Sequence, residues 1–254
     1  MRERESRLAR IRELQADMER EAREAAEKKV AETKRKQQQA EAQGKKFKAR
    51  KVIDPSQAVP KPKSKRNFTD PDSRIMKDQA SKTFQQAYNI QIGVDAQAQI
   101  IVAAKVVQAG VDQQQLVPVL REVKRNLGRM PVQASADAGY YSRAAITHEA
   151  VREVDLHVPP NQPKPVKGEE HMTLPTAATL QERMWHKLAS KAGREVFSRR
   201  KVIVEPVFAQ IKHVRGFRQF LLRGLAQVEA EWLLVCMTHN LLKAFRAQKS
   251  PQMA

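Results

Sequence analysis

Residues 87–95, "AYNIQIGVD", and residues 99–107, "QIIVAAKVV", decide the fold. In the first, Tyr88, Ile90, Ile92 and Val94 alternate with Asn89, Gln91 and Gly93. That strict period of two predicts a half-buried β-strand. The second is more continuously apolar and fits a central neighbouring strand. The connection between them, Asp95 to Ala98, is short enough for a hairpin.

Working outward toward the C-terminus, Asp112 can cap a helix whose apolar positions are Leu116, Leu120, Val123 and Leu127. Pro118 lies near its first turn, and Gly128 and Pro131 end it. A short run from Val132 to Ala136 then delivers Asp137, followed by a Gly-Tyr-Tyr turn. Ser142 can cap a further helix over 143–153, and "DLHVPP" (155–160) reads as another strand. The Pro-rich residues 159–176 predict a loop or insertion. Beyond it the pattern is helical, with Glu205 placed before Pro206 at an expected helix start or kink. The order strand, strand, helix, strand, helix, strand, helices predicts a mixed α/β layer.

Toward the N-terminus the character changes. Residues 1–43 hold no Gly or Pro and are dominated by Ala, Glu, Lys, Arg and Gln, strong helix formers. Leu8, Ile11, Leu14 and Met18 make only a thin apolar stripe, so a basic, solvated helical arm is expected, in the manner of a loose coiled coil. Residues 44–66 mix Lys, Pro and Ser and read as a basic linker, and 67–254 as one domain.

The net charge of +19 speaks for a polyanionic partner, with nucleic acid first because counterion release drives basic chains onto phosphates. The charge is segregated. Residues 1–66 carry 21 Lys/Arg against 11 Asp/Glu, and residues 194–254 carry 11 against 4. The lone cysteine, Cys236, excludes an internal disulfide and a Cys-based zinc cage. No run of 18 apolar residues predicts a membrane span, and "MRERESRLAR" has no signal-peptide core. A soluble cytosolic protein, associated with the nucleoid if it binds DNA, is the expectation.

Two carboxylates stand out. Asp137 ends a short strand, where ligands gather in open α/β sheets, with Gly139 allowing a sharp turn. The bland alternative is an acid that bonds its own turn. Glu205 lies among Arg199, Arg200, Lys201, Lys212 and Arg215, where a solvated ion-pair partner is the simpler account. His239 on the apolar face of the last helix reads as a core residue. With no nucleophile elbow and no Gly-rich phosphate loop, enzymatic chemistry rests on carboxylates or nowhere.

Four stretches together resemble the DDE transposases of bacterial insertion sequences, whose catalytic core is RNase H-like. They are "NFTDPDSRIMK" (67–77), "YNIQIGVD…QIIVAAKVVQAGVDQQQLVPVL" (88–120), "ADAGYYS" (136–142) and "VEPVFAQIKHVRGFRQFLLRGLAQVEAEWLLVCMTHNLLK" (204–243). "RESRLARIRE" (4–13) also resembles the end of the helical insertion such proteins carry. The resemblance implies an RNase H-like core, metal-dependent cleavage and transfer of double-stranded DNA at transposon ends and target, and self-association. It makes Asp137 the second and Glu205 the third acid of a triad holding Mg²⁺ or Mn²⁺, ions that activate the nucleophile and stabilise the leaving oxygen. Hard cations call for such oxygen ligands. Lys212, Arg215, Arg218 and Arg223 would then lie near phosphates. Nothing in residues 1–66 resembles the strand that carries the first acid, and Asp54 precedes a proline in the linker. The expectation is a transposase fragment without its first acid, the alternative a non-catalytic DNA-binding or interfering remnant.

Overall fold

The structure is a computed structural model that describes residues 2–44, 46–48, 52–78, 81–161 and 178–249. Most of the Pro-rich stretch 159–176 falls outside them. The chain divides into two units, residues 1–75 and 76–254.

The first unit is built on one long helix, α1 (Arg2–Ala42). Its polar faces are tied by ion pairs one turn apart, Arg10–Glu13 at 2.6 Å, Arg20–Asp17 at 2.7 Å and Lys36–Glu32 at 2.6 Å. Such exposed pairs, screened by solvent, contribute little to stability. Residues of 44–66 fold back on the helix: the 3₁₀ turn Pro55–Gln57 packs on α1, and Leu14, Ala26 and Ala58 are buried. Asp54 starts that turn, its carboxylate accepting from the Ser56 N–H at 2.9 Å and hydroxyl at 2.7 Å. Glu21 on α1 receives both Arg66 and Arg74, the latter at 3.1 Å. Strand β1 (Arg74–Lys77) spans the boundary between the units.

In the second unit, β2 (Phe84–Ala87) precedes the hairpin of β3 (Asn89–Val94) and β4 (Ile101–Val107). These two run antiparallel from Asn89↔Val107 to Val94↔Ile101, with a register irregularity at Gly93/Val94. The turn is locked by Asp95, whose carboxylate accepts from the N–H groups of Gln97 at 3.0 Å and Ala98 at 2.7 Å. Tyr88, Ile90, Ile92 and Val94 pack on a core of Ile101, Val106, Val207, Ile211, Val228 and Trp232. The opposite face meets α2 (Leu116–Leu127): a Cβ on Gly93 would stand 3.2 Å from Val123. The period of two thus separates two packed faces, not a dry one and a wet one.

A second core gathers Leu116, Val117 and Leu120 of α2 with Tyr141, Val151, Leu156, Val158, Met184 and Leu188. Here β5 (Gln133–Ser135) pairs in parallel with β6 (Asp155–His157), and α3 (Arg143–Ile146) lies between them in sequence. The described strands therefore form three two-stranded sheets, not one continuous sheet. The expected helix over 143–153 is shorter, breaking after Ile146 into a 3₁₀ turn at Glu149–Val151.

Among the described residues, three helices complete the unit: α4 (Leu180–Ala189), α5 (Lys191–Ala209) and α6 (Leu225–Lys249). A capping box, Thr179 with Glu182, opens α4. Ser190 ends α4 and caps α5, accepting from the Gly193 N–H at 3.0 Å. A Cβ on Gly193 would lie 1.9 Å from the Lys187 carbonyl oxygen, so the elbow closes only around a residue without a side chain. Pro206 neither starts nor ends α5; it sits inside it, and a π-helical turn, Gln210–Val214, follows. Proline there removes one backbone hydrogen bond.

Candidate functional site

A cleft of about 720 Å³ opens between β3, β5 and α5, with α2 along one wall. Strand β5 positions Asp137, which begins the 3₁₀ turn Ala138–Tyr140. Along α5, Glu195, Arg199, Arg200, Ile203 and Phe208 face the cleft, spaced as one side of a helix demands.

Asp137 is held by Arg200, its Oδ1 2.8 Å from Nη1. The Asp137 side chain is 59% exposed and the Arg200 side chain 14%. Arg200 also lies 5.5 Å from the centroid of the Phe197 ring. Glu205 does not line the cleft; it faces solvent on α5. One residue beyond Val204, it is turned about 100° round the helix from a lining position. Among the described residues, no three His, Cys, Asp or Glu side chains converge as a metal site would require. With a guanidinium on Asp137 and Glu205 turned outward, this donor set does not fit a hard divalent cation.

The polar centre of the cleft is a network of Asp112, Asn89, Gln91 and Tyr140, a role none of them was expected to have. Asp112 does not cap α2, whose N-cap is Gln115. Its Oδ1 accepts from the side-chain amides of Asn89 and Gln91, each at 2.8 Å. Tyr140 donates its hydroxyl to Gln91 Oε1. Burial, and then the nearby Asp112 and Asp137 carboxylates, push the Tyr140 phenol far above its ordinary range and keep it a donor. A local cap outcompetes a distant partner in any sequence reading. The available signal was two carboxamides at alternate positions of one strand.

The four expected phosphate contacts follow Pro206. Lys212 lies in the π-helical turn, 5.2 Å from the Phe208 ring centroid. Arg215 is committed to α6, donating to the Val235 carbonyl at 3.1 Å and to the Thr238 hydroxyl. Arg218 donates to the Lys212 carbonyl at 3.3 Å and lies 3.1 Å from His213 Nδ1. Arg223 is exposed. Buried His239 donates its Nε2–H to the Gln99 carbonyl, 3.0 Å away, and burial first of all holds its pKa below the ordinary value. It behaves as a core residue.

Residues 161–245 match the family model described as "Transposase DDE domain". That segment, a third of the chain, is similar to the DDE domain of transposases. The transposase match takes in α4, α5 and α6 as far as Phe245, with Glu205 and all four expected DNA contacts, whereas Asp137 precedes it. No curated protein and no solved structure matches. Among the described residues, no helix is long and apolar enough to cross a membrane.

Proposed function

We propose that the chain acts on DNA as an insertion-sequence transposase does, by strand cleavage and transfer, with Asp137 and Glu205 as acids of its centre. The observation that carries this is the transposase match over 161–245, which contains Glu205 and the basic segment after it. Lys212, Arg218 and Arg223 serve as phosphate contacts, and Arg215 anchors the loop that presents them to α6. The acids as arranged do not hold a cation. Asp137 must first leave Arg200, and Glu205 must turn into the cleft.

The test is nicking of supercoiled plasmid in Mg²⁺ or Mn²⁺, beside mobility-shift titrations on duplex DNA. Cleavage that Asp137→Ala and Glu205→Ala each abolish supports the reading. Cleavage indifferent to both substitutions refutes the assignment. Binding should weaken with salt, and replacing Lys212, Arg218 and Arg223 by Gln should flatten the log–log slope by about 2.7, roughly 0.9 for each contact.

A second reading is a non-catalytic, DNA-binding relative. It is favoured by the Asp137–Arg200 ion pair and by the outward side chain of Glu205. Binding unaffected by Asp137→Asn, Glu205→Gln or metal removal, with no nicking, identifies it.

A further inference from the structure

Helix α6 is apolar on two opposite sides. Val228, Trp232, Val235, Cys236 and His239 are buried within the unit. At about 100° per residue, Ala230, Leu233, Leu234, Met237, Leu241 and Phe245 fall in a sector of about 120° on the far side. All six are exposed, Leu234 at 56% and Leu241 at 60%. Between Ala230 and Phe245 no Asp, Glu, Lys or Arg enters that sector. A helix that is apolar all round is ordinarily covered all round, and a contiguous apolar patch marks an interaction surface.

The surface suits a helix and not a strand. The stripe walls a groove of about 500 Å³ that is closed on its other side by residues 100–104. The backbone of β4 is already engaged there. Asn240 accepts from the Ile101 N–H and donates to the Ile101 carbonyl, both at 2.8 Å, and Asn126 donates to the Val102 carbonyl at 2.9 Å. The charges then select which helix. Glu229 and Glu231 lie in the first half of α6 and Lys243, Arg246 and Lys249 in the second, and neither half holds a charge of the other sign. A second α6 laid antiparallel sets each acidic half against a basic one, whereas a parallel one sets like against like. An unrelated helix would have to carry this polarity in reverse; a copy of the chain already does.

We propose that two copies of the chain associate through the outer face of α6, antiparallel, about a two-fold axis at Met237. Such a contact is isologous and self-complementary. It places Leu233 opposite Leu241, and Ala230 opposite Ala244, across the axis. No residue of α6 lines the cleft at Asp137, so the contact leaves that cleft open and stands apart from the cleavage reading.

Sedimentation velocity on the full chain, without DNA and in EDTA, tests it. The expected result is a species of twice the chain's mass at tens of micromolar. Leu234→Glu together with Leu241→Glu should raise the dissociation constant at least about 100-fold, because each burial is lost twice in a two-fold contact. The urea midpoint of that variant should stay in place, since both side chains are exposed. Oxidative cross-linking reads the orientation, with Cys236 buried and silent. Chains carrying Ala230→Cys should cross-link to chains carrying Ala244→Cys when mixed, and neither should cross-link alone. If the double variant unfolds, this pair of mild substitutions still decides. A chain that stays monomeric overturns the proposal, as does a dimer indifferent to the double substitution. Cross-linking among Ala230→Cys chains alone also overturns it, by showing a parallel contact. Cleavage of DNA, or its absence, bears on none of these outcomes.

Discussion

Asp112→Ala tests the polar centre of the cleft. The carboxylate oxygen accepts two amide donors at 2.8 Å, one of them from Gln91, which is 1% exposed. Hydrogen bonds to a charged acceptor contribute about 1.5–3 kcal/mol each. Losing two would cost about 3–6 kcal/mol if both donors were stranded. They are not: Asn89 also donates to the Ala109 carbonyl, and Gln91 to Asn89 Oδ1, both at 3.0 Å. The expected loss is therefore at the lower end, about 3 kcal/mol. With a urea m-value near 2 kcal/mol/M, the midpoint falls by about 1.5 M. Asp112→Asn keeps the acceptor and loses the charge, so it should cost roughly half as much. Urea titration followed by tryptophan fluorescence reads the correct unit, since Trp185 and Trp232 both lie in it. A cycle with Gln91→Ala should give a coupling of about 1 kcal/mol or more. If Asp112→Ala costs under about 0.5 kcal/mol, as a surface change would, or if the coupling vanishes, the network does not hold the cleft together.

Trp232, 1% exposed in the core under β3–β4, should cost about 3–5 kcal/mol as Trp232→Ala in the same titration. Trp232→Phe should cost much less, because the indole N–H has no partner to lose. Burial pushes the Cys236 thiol up to about 12, so it should resist a disulfide reagent at pH 8 until urea unfolds the chain; equal labelling rates with and without urea would refute its burial. His157 and His239 are both held below the ordinary histidine value of 6.5, by burial first and then by nearby cations. The folded state therefore binds fewer protons than the unfolded state as pH falls through 6.5. Stability should be at its plateau above that pH and decline below it, toward the lowered folded values. Urea midpoints across this range check the sign, and a rise on acidification would contradict it.

The hairpin was legible because two packed faces produce the same alternation as one. What the alternation hid is that Asn89 and Gln91 also face inward, toward Asp112 and α2, which takes a partner about twenty residues away. Asp112 looked like a cap because a capping acid is a local signal, and the true occupant of that position is Gln115. Asp137 at a strand end was readable, but Arg200 as its partner was not: the pair is 63 positions apart, and its meeting depends on how α5 crosses the cleft. Glu205 shows the same limit. Pro206 suggested a helix boundary, yet α5 runs through it, and the phase of a continuous helix turns the carboxylate outward.

That phase is set at a distance. Gly193 sits where α4 folds into α5, against a carbonyl that leaves no space for even a methyl group. Arg200 and Glu205 stand about 10 and 18 Å further along the same rod, at 1.5 Å per residue. A tilt of ten degrees at the elbow would swing the first by roughly 2 Å and the second by roughly 3 Å. The aim of both charged groups is thus governed by the one residue on the helix that has nothing to aim.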